Sequence, residues 1–155
     1  MIYATTDDMQ ARYLERDLIA LTDETNQAID LARLQAALND ASAEIDGYLS
    51  VRYAMPLVDA TLGTPLAPPT LLVRGCCDMA AYLLQTLRPK DDVEDARRRY
   101  DSTVRMLRLI STGDVQIGAQ LLPGQATFPP DVSQSPGLAQ IGSARHPDSF
   151  SRRHR

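Results

Sequence analysis

The chain has 155 residues, of which 44% are hydrophobic, enough for one cored domain with an appendage. Two Phe, no Trp and six Tyr make that core aliphatic, a mixture that favours helices over sheets. The formal charge of −4 is uneven: residues 1–112 carry 12 basic and 17 acidic side chains, residues 113–155 carry 4 and 3, so the body lacks the basic surface that non-specific nucleic-acid binding requires.

In chain order, residues 6–21 read as one or two short helices. Thr6 stands as N-cap, Asp7 and Asp8 occupy the first turn where negative charge suits the helix dipole, and Ala11, Leu14 and Leu18 lie three and four apart. A polar break follows. Asp30 then caps a long helix, about 31–51, whose Leu34, Leu38, Ala41, Ile45 and Tyr48 or Leu49 paint one apolar stripe. Gly47 is its weak point, costing roughly 1 kcal/mol relative to Ala, and a place where another helix could come close. Pro56, Pro65, Pro68 and Pro69 with Gly63 exclude a helix from the connector 55–69.

Pro69 suits the first turn of the next helix, about 69–87, which is apolar on most sides. Arg74 and Asp78 in its middle mark it as the buried centre of a bundle rather than a lipid-facing span, with Asp78 paired to Arg74 or to Arg52. Asp91 or Asp92 caps a last helix that runs to about Ser111 on Val93, Ala96, Tyr100, Val104, Leu107 and Ile110, and Gly113 ends it. Residues 115–119 alternate like a short strand, and residues 120–155, rich in Pro and Ser, show no helical period. The expected fold is all-α: a bundle of about four helices over residues 1–112, then a short strand and an extended C-terminal arm over 113–155.

The sequence is poor in chemistry. His146 and His154 are the only histidines and both lie in the arm, which excludes a histidine base, triad or metal site in the body. Cys76 and Cys77 are adjacent on a helix, where their side chains diverge, and read as small buried fillers. Asp40, Glu44 and Asp78 are the carboxylates a metal-dependent hydrolase would use; as helix residues they read instead as a solvated face and a buried pair that sets register. Arg97, Arg98 and Arg99 point in different directions and do not make one phosphate patch. Tyr48, Tyr53, Tyr82 and Tyr100 are candidates for a cluster where helices meet. No apolar run approaches the length of a membrane span, about 18 residues, and no apolar signal segment opens the chain, so a cytosolic origin is expected. No catalytic residue, cofactor or metal is expected.

Three segments carry a resemblance. They are Glu44-Ile-Asp-Gly-Tyr-Leu through Arg52-Tyr53 and Pro56-Leu57; Cys77-Asp-Met-Ala-Ala-Tyr-Leu; and Arg99-Tyr100 through Val104, Leu107, Ile110 and Gly113-Asp-Val115. Their order and spacing over about residues 1–118, with Tyr3-Ala4-Thr5 at the start, resemble the small head–tail connector, or adaptor, proteins of Mu-like phages and prophages. The resemblance implies a non-enzymatic virion protein that forms a ring, typically of twelve copies, under the portal. It would join the portal to the next connector, a stopper, or to the tail. DNA would pass through the lumen without specific binding. Its place would be the head–tail junction of the virion, reached from the host cytoplasm during assembly. The arm beyond Gly118 lies outside that resemblance; Val115, Ile117, Leu121, Leu122 and Phe128 suit docking on the portal or a neighbouring copy by strand addition. Tyr48, Arg52 and Tyr53 are the candidate interface at the helix corner. The rival readings are a small metal-dependent hydrolase and a DNA-packaging or regulatory protein that binds nucleic acid.

Overall fold

The computed structural model describes residues 1–23, 25, 27–87 and 93–125. They form five helices: α1 (Thr6–Arg12), α2 (Glu15–Thr22), α3 (Leu31–Leu49), α4 (Thr70–Leu87) and α5 (Val93–Thr112). Helix α1 starts one residue earlier than its sequence suggests. Thr5 is extended and accepts a hydrogen bond from the Asp8 amide, while its own amide donates to the Asp8 carboxylate, a reciprocal capping box. The pair Tyr13-Leu14 is extended and splits this first region in two. Asp23 then gathers the amides of Thr25 and Gln27, which pulls its carboxyl well below the usual range, and Asp30 caps α3 through the Arg33 amide.

Helices α3, α4 and α5 pack on one another with α4 central, as its apolar circumference requires, and α1 and α2 lie across α3 and α4. Leu34, Leu38, Ala41, Ile45 and Leu49 of α3 face Leu72, Cys76, Met79, Ala80 and Leu84 of α4, with Leu107 and Ile110 of α5 closing the core. Leu49, not Tyr48, completes the α3 stripe; Tyr48 is half-buried. Among the described residues no helix is long and apolar enough to cross a membrane. The caps expected at Asp91 and Asp92 lie outside the described residues.

The close approach sits at a different glycine from the one the α3 pattern suggests. A Cβ on Gly47 would meet nothing within 4 Å, whereas one on Gly75 of α4 would stand 2.8 Å from the Thr103 methyl of α5. Gly75 is buried where α4 and α5 cross; Gly47 faces solvent. Gly47→Ala is therefore expected to stabilise the protein by up to about 1 kcal/mol, since Ala adds helix propensity with no steric cost. Urea melts monitored by circular dichroism check this through the midpoint at unchanged slope.

The connector 55–69 is a tight reversal rather than loose chain. Asp59 and Thr64 bond through their backbones, Leu66 bonds back to Leu57, and the Asp59 carboxylate accepts the amides of Thr61 and Leu62 at the tip. Among the described residues the short strand expected at 115–119 is not formed. Isolated antiparallel bridges join Ala119 to Asp59 and Leu121 to Tyr53. The reason is local: the Gln120 carbonyl accepts from Ala54 while the Gln120 amide donates to Val58, so residues 55–57 bulge between the two bonds and a regular ladder cannot extend.

Candidate functional site

Two features organise the surface. The first is the corner where α3 ends. The chain leaves α3 through Arg52 and Tyr53, whose amides both bond to the Leu49 carbonyl. Arg52 is 7% exposed, an unusual depth for a guanidinium. Its Nη1 donates to the Thr112 carbonyl at 3.4 Å, at the C-terminal end of α5 where the helix dipole favours a cation. The rest of the guanidinium lies flat against Gly113, which has a φ of +94°. Gly at that position serves twice, turning the chain in the left-handed region and leaving room for the arginine.

From Gly113 the chain folds back along the same corner. Ala119 is buried, and Val115, Ile117 and Leu121 are half-buried against the core. The Leu122 amide bonds to the Arg52 carbonyl, and Gln125 reaches the Val51 carbonyl. Of the five side chains expected to dock on a partner, Val115, Ile117 and Leu121 thus lie on the chain's own body, Leu122 is half-buried beside them, and Phe128 lies outside the described residues. Tyr53 is buried at the corner, Tyr48 half-buried. The predicted tyrosine cluster is smaller than the sequence suggests: the Tyr82 and Tyr100 rings meet tilted, with centroids 4.7 Å apart, Tyr48 lies close enough to act electrostatically on Tyr100, and Tyr53 sits in the corner bridged to Leu121.

The second feature is a set of tyrosine–carboxylate pairs that tie distant segments together. Tyr3 donates to Asp46 at 2.6 Å, Tyr13 to Asp78 at 2.8 Å and Tyr100 to Glu44 at 2.5 Å. Asp78 also sits 3.7 Å from Arg74 on its own helix, so of the two arginines considered for it, Arg74 is the partner, and Arg52 is spent on the α5 terminus. Asp40, Glu44 and Asp78 stand in three separate surroundings: solvent, the Tyr100 hydroxyl, and the Tyr13–Arg74 pair. Among the described residues no three His, Cys, Asp or Glu side chains gather where they could hold a metal. Tyr3 and Tyr13 were invisible as site residues in the sequence. Their partners lie 43 and 65 residues away.

Burial and the adjacent carboxylates push the Tyr3, Tyr13 and Tyr100 hydroxyls well above the ordinary tyrosine value, and burial pushes Cys76 up and Cys77 up to about 12. A folded pKa above the unfolded one favours the protonated native state. That contribution is complete below the unfolded value and fades as pH climbs toward the folded one. The melting temperature is therefore expected to hold from pH 7 to about 8.5, fall once unfolded thiols ionise, and fall faster above about pH 10, where unfolded tyrosines ionise. Thermal melts across that range check it. The Tyr3→Phe, Tyr13→Phe, Tyr100→Phe triple variant should lose the steeper part.

Comparison with known proteins places the chain. It is 36% identical over 120 residues to the Mu-like prophage FluMu protein gp36 of Haemophilus influenzae, covering 76% of this chain and 77% of that protein. It is 35% identical over 122 residues to Gene product J of Escherichia phage Mu, covering 77% and 79%. The family model described as Bacteriophage Mu, Gp36 matches residues 3–130, which takes in the corner, all three tyrosine pairs and the returning segment. The chain is a Mu-like phage protein and belongs to the Bacteriophage Mu, Gp36 family.

Proposed function

We propose that the protein is a structural head–tail connector that forms a ring under the portal, joins head to tail and catalyses no reaction. The observation that carries this reading is the match to a phage Mu family along a chain that also resembles connector proteins segment by segment. The use of its ionisable side chains supports it. Tyr3–Asp46, Tyr13–Asp78, Tyr100–Glu44 and Arg52–Thr112 each link separate parts of the backbone and do not converge on one cleft. The charges suit a pore wall as well, because a net-negative body does not hold passing DNA. In this reading the partners are copies of the same chain, the portal, and the next connector or a tail component, and the protein resides at the head–tail junction of the virion.

The test is the mass in solution by light scattering, for the chain alone and mixed with the portal protein of the same genome. A cut after Gln125 is the informative truncation, because it spares the bonds that hold residues 118–122 to the corner. A ring-sized species or a stable portal complex is expected; loss of the portal complex on truncation assigns docking to residues 126–155. A chain that stays monomeric and ignores the portal overturns the proposal.

A further inference from the structure

The charged side chains of this protein are unevenly satisfied. On α5, Arg97, Arg98 and Arg99 each have a carboxylate one turn away, at Asp101, Glu94 and Asp95. The guanidinium groups of Arg105 and Arg108, further along the same helix and exposed, have no hydrogen-bond or ion-pair partner among the described residues. Beside them Leu109 is 42% exposed. Next to it, a groove of about 330 Å³ between α4 and α5 carries Leu71, 43% exposed, and Met106 on its wall, with Arg74 and Arg98 at the rim. Arginine beside exposed aliphatic surface is the composition of a contact region, not of a plain solvated face.

The opposite imbalance lies elsewhere on the molecule. Residues 1–49 hold ten acidic and three basic side chains, a net of −7, with Asp8, Asp17, Asp23, Asp30, Glu44 and Asp46 already engaged, whereas α5 holds five arginines and three acids, a net of +2. On the outward side of α3, Asp40 is exposed and has no partner among the described residues. Around the same helix Ile2, 60% exposed, lines a shallow hollow together with Asn39 and Ala43. This surface pairs an unpartnered carboxylate with an exposed aliphatic side chain, the counterpart of what α5 presents. The two surfaces share no residue.

We propose that the arginine face of α5, Arg105 and Arg108 with Leu109, receives the unpartnered Asp40 carboxylate on the outer side of α3, with Ile2 nearby, from a second copy of this chain. The inference rests on the connector reading and gives it a seam. Because the two faces are different patches, the contact is head-to-tail. Each copy keeps one face of each kind open until the chain of contacts closes. The arginines are solvent-exposed in the single chain, so the seam weakens with salt and a single contact is weak, while closure multiplies it.

Charge reversal tests the seam, with self-association followed by sedimentation velocity at low and high salt. R105E with R108E in one chain, and D40R in another, are each expected to weaken self-association by about tenfold or more. Mixing the two variants is expected to restore self-association, since the native faces still match and the two reversed faces are again opposite in charge. The milder Arg105→Gln with Arg108→Gln should fall between, and all variants should melt within a few degrees of the native chain because the altered side chains are exposed. If the native chain assembles and R105E with R108E assembles equally well, this seam is wrong and the connector reading stands. If the native chain stays monomeric at low salt, alone and with the portal protein, both fail. If it stays monomeric but retains duplex DNA through Arg105 and Arg108, the face is a nucleic-acid surface and the seam is overturned.

Discussion

Gly113→Ala is expected to lower stability by about 3 kcal/mol, a drop of roughly 10 °C in melting temperature for a domain of this size. Two costs add. Gly113 has a φ of +94°, a region in which a Cβ is strained wherever the residue sits. The new methyl would also stand 2.5–2.6 Å from three atoms of the Arg52 guanidinium. Arg52 is held by the corner around it and cannot withdraw without leaving the Thr112 carbonyl. The mechanism has a signature beyond the loss itself. Arg52→Ala alone should destabilise, by removing a buried cation from the α5 terminus. In the double variant part of the Gly113→Ala cost should vanish, because the steric part needs the arginine. A strictly additive double-mutant cycle in urea would show that Gly113 acts through its backbone alone.

Gly75→Leu is expected to cost about 3 kcal/mol through overpacking at the α4–α5 crossing. The first side-chain carbon meets the Thr103 methyl at 2.8 Å and the Met106 methyl at 3.5 Å. Met106 is half-buried on a groove wall and can swing away; Thr103 is 6% exposed, β-branched and fixed, so the helices must separate. Gly75→Ala should lose less, since about 1 kcal/mol of helix propensity offsets the clash. Thr103→Ala in the same chain should recover much of it by making room. Denaturant melts of the three variants and the pair check the sequence of effects. A Gly75→Ala protein more stable than the native chain would mean that the crossing is looser than its geometry indicates.

The contrast between the two helical glycines marks the limit of what the sequence could say. Gly47 and Gly75 carry the same local signal, a helix breaker inside a helical period. Only the neighbour across the interface, Thr103, separates a tolerated residue from a required one, and that neighbour is 28 positions away. The long helices were legible because their apolar residues recur at steps of three and four, and Asp30 and Gly113 punctuate α3 and α5 through short-range chemistry that local sequence encodes. Thr5 and Thr6 were harder to tell apart, since either can precede an acidic first turn; the choice falls to Thr5 because Asp8 is three residues on, at the spacing of the capping box. Arg52 and Tyr53 stood out in the sequence as part of a recognisable run. That Arg52 turns inward to the end of α5 depends on a partner 60 residues away. The same distance problem hid Tyr3 and Tyr13, and it hid the return of residues 113–125 onto the corner, because alternating Val115 and Ile117 look alike whether they meet their own body or another chain.

That return has a mechanical meaning for a protein whose chain continues past residue 125. Tension applied beyond Gln125 does not load α5 first. It arrives at Val51 and Arg52 through Gln125 and Leu122, then at Ala54 and Val58 through Gln120. The pull is thus delivered to the end of α3, while α5 is shielded behind Gly113 as long as those few bonds hold. Residues 118–122 serve as a strain relief, as a cable clamp does where a cord enters its housing.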